Sequence, residues 1–162
     1  MSSSLLRLLV ASTAVVLAAC SSDDAASAPP PPAPETLFDT LPAATPNVLR
    51  GVFGNTQTQT NGTIEIRLRF MEKYVVGGAK CTPTGGGAPV IAGGSIALTT
   101  DALDAATGKL TIGALGFQKQ EGNLLCQVTL PGNTYDFTVT GATLTLKVGA
   151  ATVSPSFEKV GD

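Results

Sequence analysis

One stretch of eight residues constrains this fold more than any other. In residues 63–70, Ile64, Ile66, Leu68 and Phe70 alternate with Thr63, Glu65, Arg67 and Arg69. Side chains on a β-strand point to opposite faces in turn, so this spacing gathers four apolar groups on one face and three charges on the other. On a helix the same residues would scatter around the axis. The pattern recurs in Tyr135, Phe137 and Val139 against Asp136, Thr138 and Thr140. Gly141-Ala142 then leads into Leu144, Leu146 and Val148 against Thr143, Thr145 and Lys147. Two alternating runs around a glycine-bearing turn define a hairpin. Weaker strands fit residues 48–54, 74–82, 89–99, 109–118, 124–130 and 152–160. Only residues 101–106 suit a helical turn, with Asp101 as its N-cap. Eight or nine locally connected strands predict an all-β, antiparallel meander, closed as an up-and-down barrel to remove its edges. A two-sheet β-sandwich is the alternative.

Upstream, the composition changes twice. Residues 21–46 are rich in Ser, Asp and Ala, with six prolines from Pro29 to Pro42. Such a segment favours extended polyproline conformations over a packed core, and reads as a disordered spacer. Before it, Arg7 precedes an uncharged apolar run over residues 8–17. A bilayer-spanning helix needs about 20 residues, so the run fits a signal peptide's hydrophobic core instead. It ends in Leu17-Ala18-Ala19-Cys20, which resembles the lipobox of bacterial lipoproteins. That resemblance implies cleavage before Cys20, a diacylglyceryl thioether on its sulfur, and an acyl chain such as palmitate on the new amino group. It makes the membrane a partner through covalent lipid. Ser21, where an aspartate would mark retention, implies the outer membrane of the cell envelope, facing periplasm or surface. The expected organisation is a signal peptide over residues 1–19, a lipid-anchored linker over 20–46 and a β-barrel domain over 47–162.

With Cys20 taken by lipid, Cys81 and Cys126 are the remaining pair in an oxidising compartment, which predicts a structural disulfide. Catalytic groups are scarce. The chain has no histidine, which excludes Ser-His-Asp, Cys-His and zinc sites in their usual forms. Of the 10 Lys and Arg, Arg7 leaves with the signal, and the rest face 12 Asp and Glu with no basic cluster. Nucleic acid is therefore not an expected partner. Paired carboxylates would have to come from Asp39, Glu65, Glu72, Asp101, Asp104, Glu121, Asp136 or Glu158, which fall mostly in turns or on outward strand faces. Asp101 and Asp104 lack the further oxygen ligands of a calcium loop. Gly85-Gly86-Gly87 lacks the Lys and the helix of a phosphate loop, and reads as a hairpin loop. Asn61-Gly62-Thr63 reads as a turn before a strand. No enzyme, cofactor or metal site is expected.

Gly51-Val52-Phe53 resembles the Gly-x-Trp that opens lipocalin-like barrels, with Phe in place of Trp. The run from Tyr135 to Leu146 resembles the terminal hairpin of small bacterial lipocalin-like domains, and Phe157-Glu158-Lys159-Val160 their last strand. Domains of the META type share that hairpin and often carry Gly-Cys-Asn, for which Lys80-Cys81-Thr82 is the nearest match here. The lipocalin-like resemblance implies an apolar pocket inside the barrel, lined by Ile64, Ile66, Leu68, Phe70, Tyr135, Phe137, Leu144 and Leu146, for a small apolar ligand or lipid. A barrel of eight strands can equally fill itself with side chains. The alternative function is a non-enzymatic interaction or structural module of the envelope.

Overall fold

The computed structural model describes residues 30–98, 103–104, 108–153 and 156–162. The lipobox, Cys20, Ser21 and Asp101 lie outside them. Four strands follow one another as a meander: β1 (Gly51–Gln59), β2 (Gly62–Phe70), β3 (Tyr74–Pro83) and β4 (Val90–Ala97). Each pairs antiparallel with the next. Strand β2 turns Ile64, Leu68 and Phe70 into the core and its arginines outward, as its alternation requires.

The second half supplies β5 (Leu103–Asp104), β6 (Lys109–Ile112), β7 (Leu115–Glu121), β8 (Leu124–Leu130), β9 (Asn133–Thr140), β10 (Thr143–Val148), β11 (Ala151–Thr152) and β12 (Phe157–Gly161). The main sheet runs β4-β3-β2-β1-β12-β10-β9-β6-β5, with β11 beside β10. All pairings are antiparallel, and the sheet curls as a half-barrel. The last strand closes onto the first, Phe53 facing Lys159. The expected all-β antiparallel architecture is therefore what the chain forms.

Two elements depart from expectation in the second half. Residues 109–118 form two strands in different sheets rather than one. Ile112 faces Asn133, and Leu115 faces Leu130, so the pairing register runs unbroken across the break. β6–β9 and β7–β8 are thus one long hairpin, bent where Gly113-Ala114 passes Pro131-Gly132. Pro131 offers no N–H to the ladder and Gly113 imposes little stiffness, which makes this the weak point. Inward positions change parity there, from Leu110 and Ile112 to Leu115 on one strand and from Leu130 to Tyr135 on the other. The distal half, β7–β8, folds over the inner face of β3 and β4 as a second, two-stranded sheet. The other departure concerns residues 101–106: Leu103 and Asp104 pair with Leu110 and Lys109 as a strand, so they do not form a helical turn. Ladder hydrogen bonds to β6 outweigh what a single isolated turn would supply.

The spacer expected over residues 20–46 ends earlier than its composition suggests. Pro34–Phe38 is a 3-10 helix with proline in its first turn. Leu37 is fully buried, in a small second core with Val52 and Val76 on the outer face of the sheet. Leu41, Phe38 and Met71 pack at its margin. Residues 34–41 therefore pack as part of the folded unit, ahead of the boundary expected at 47. Burying Leu37, worth about 1.5–3 kcal/mol, favours order where the flanking prolines already restrict the unfolded chain.

Candidate functional site

All eight residues expected to line an internal pocket converge on a single core. Ile64, Leu68, Phe70, Tyr135, Leu144 and Leu146 are each 0–3 % exposed within it, and Ile66 and Phe137 pack at its edge. Neighbouring side chains pack closely around these six, leaving little space between them. The Tyr135 hydroxyl donates to the Pro131 carbonyl at the bend of the long hairpin, and burial raises its pKa. Phe53 and Phe70 meet edge to face, with ring centroids 6.0 Å apart.

The filling comes from the folded-over hairpin. Gly77 and Gly94 face each other across β3 and β4, and together they form a notch in the sheet. Leu115 seats against Gly77 and the Phe117 ring against Gly94, so closely that a Cβ at either glycine would collide with them. Deeper along the same pair of strands, Cys81 and Cys126 join β3 to β8 at a Cα separation of 5.6 Å. Both are wholly buried.

A concavity lies outside this core, at the end of the sheet where three hairpin loops meet. It encloses about 620 Å³ between the Thr60-Asn61 turn, the loop after Pro83 and the Gly122-Asn123 turn. Asn61 binds the three together: its carbonyl accepts from the Thr84 N–H at 3.0 Å, and its side-chain amide donates to the Asn123 carbonyl at 3.3 Å. Val90 and Leu124 form its apolar floor. Val90 pairs with Cys81, so the floor rests on the disulfide. Gly85 and Gly86 stand clear of other atoms at the loop tip. Glu121 is the one charged residue in the lining, and there is no aromatic side chain. Such a cradle can offer hydroxyl, amide and backbone hydrogen bonds to a polar, largely uncharged surface.

Other groups serve structure. At the opposite end, the buried Lys159 ammonium pairs with Asp162 at 2.6 Å and donates to the carbonyls of Thr45 and Val48. Hydrogen bonds from Lys159 and Thr45 hold the Asp162 carboxyl down to about 2. Glu65 is paired with Arg67, Asp136 with Lys109, and Glu158 accepts from the Thr143 hydroxyl at 2.9 Å. Among the described residues, no three His, Cys, Asp or Glu side chains gather as a metal site. None of their helices is long and apolar enough to cross a membrane. Of the eight pocket candidates, Phe70 and Phe137 reach surface depressions.

The cradle residues escaped the sequence reading because each looks like ordinary turn chemistry. The available signal was strand parity: in a meander, the β1–β2 and β3–β4 loops fall at the same end, and the bent hairpin brings the β7–β8 turn to them. No protein-family model, curated protein or solved structure matches the chain.

Proposed function

We propose that this chain is an envelope lipoprotein, held to the membrane through Cys20 and presenting a non-enzymatic interaction module. The outer membrane is its expected station, from Ser21. The observation that carries the choice of module over carrier is the filled interior. Inward side chains at 0–3 % exposure favour a packed interior over a ligand cavity. What remains for recognition is the outside, where the loop cradle is rigidly based on a buried disulfide. Loops placed by a stable scaffold are where binding residues concentrate.

A second reading keeps the small apolar ligand but moves it outward. Val48 is 40 % exposed beside Leu49, Phe137 and Val139, around a depression of about 490 Å³. Native mass spectrometry of residues 34–162 together with fluorescent fatty-acid titration separates the two. The module reading expects neither a co-purifying small molecule nor saturable fatty-acid binding. A stoichiometric lipid lost on Val139→Asp would favour the carrier. For the module, a photocrosslinker at Gly86 in the lipidated chain should trap a discrete envelope partner, while one at Thr145 should not. Equal, diffuse crosslinking at both sites would remove the cradle as a recognition surface.

A further inference from the structure

Residues 34–41 cross the outer face of the sheet, seated at positions where strands offer no side chain. Pro34 lies against Gly93 on β4, Leu37 and Phe38 against Gly78 on β3, and Leu41 against Gly161 on β12. A Cβ at Gly78 would come within 3.0 Å of the Phe38 ring and 3.2 Å of Leu37. Leu37 drops between Val52 and Val76, and its carbonyl accepts from the Arg67 guanidinium. Arg67 and Lys80 also stand over the Phe38 ring, at 5.3 and 6.0 Å from its centroid. Apolar insertion, a main-chain hydrogen bond and two cations on one ring make a fitted seat.

We propose that this strap is a fastener that sets how far the domain can stand from the membrane. The proposal rests on the lipid-anchor reading of Cys20. With the strap seated, the chain from Cys20 to Pro34 can span at most about 50 Å, even fully extended. Unseating it to Pro46 would add at most about 45 Å more. The strap begins on β4, where Pro34 lies against Gly93, so the tether departs from that side of the sheet. Composition alone, which makes everything to residue 46 a spacer, would give nearly twice the reach.

The test uses full-length, lipidated protein in phosphatidylethanolamine–phosphatidylglycerol vesicles. With Cys20 acylated and Cys81 bound to Cys126, Thr145→Cys supplies one free thiol for a donor dye, read by energy transfer to an acceptor lipid. Chymotrypsin reads the strap itself, cutting after Phe38, whereas Pro42 protects the bond after Leu41. Leu37→Asp should raise the cleavage rate about tenfold or more, in line with loss of one buried Leu, and lower the energy transfer. Gly78→Leu, which fills the seat from the sheet side, should do the same. Thermal unfolding and the absence of further free thiols establish that both variants keep the sheet. Folded, vesicle-bound variants with wild-type cleavage and wild-type transfer would overturn the fastener. Wild-type protein left in the supernatant would instead sink the anchor reading, and the reach claim with it, while cleavage still reports whether the strap is seated.

Discussion

Replacing both Cys81 and Cys126 by alanine should cost this domain more than any surface change. The cysteines are separated by 45 residues in sequence. Releasing a closed loop of that size returns about 4 kcal/mol of chain entropy to the unfolded state. For a domain of this size each kcal/mol moves the melting temperature by about 3–5 °C, so a fall of about 12–20 °C is expected. The loss should also be uneven. β7–β8 shares no ladder with the main sheet and is held by the disulfide and by its packing against β3 and β4. Urea titration followed by circular dichroism gives the global figure. Native-state hydrogen exchange should show residues 115–130 opening at lower free energy than β1–β3. A double variant losing less than about 1 kcal/mol, or losing protection evenly through all strands, would refute the view that the disulfide fastens the hairpin.

Three further outcomes follow from individual contacts. Gly94→Val puts a branched side chain into the Phe117 ring and should cost about 1–3 kcal/mol by overpacking, measured by urea denaturation, while outward Thr145→Val stays within about 0.5 kcal/mol. Leu144→Ala empties a fully buried position and should cost about 2–5 kcal/mol in the same assay. Asp162 is held at about 2, below its unfolded value of 3.8. Its contribution is therefore complete above about pH 4 and lost as pH falls toward 2. Asp162→Asn should remove that part of the acid dependence, which thermal melts at pH 2, 4 and 6 will show.

The strands were legible because alternation is local: β2 and the β9–β10 hairpin each declare which face is buried. The disulfide was legible from counting, once Cys20 is assigned to lipid. Alternation did not say whether the inward face encloses space or fills it. That depends on Leu115 and Phe117 arriving from a hairpin bent by Pro131, a tertiary event. Its trace was present, as the change from even to odd apolar positions between Ile112 and Leu115. The strap was hidden by the prolines and alanines that flank it. Leu37, Phe38 and Leu41 were its signal, but they acquire meaning only opposite Gly78 and Gly161. Glycines that look like weak points within β3 and β4 prove to be the places where other elements dock.

Everything proposed about where this domain works depends on Cys20. Intact-mass measurement of the protein extracted from membranes tests it most directly. The account predicts a chain beginning at Cys20 and carrying diacylglyceryl and acyl mass, with Cys20→Ala unlipidated and released or unprocessed. A retained leader, or a cleaved chain with an unmodified Cys20, would contradict it.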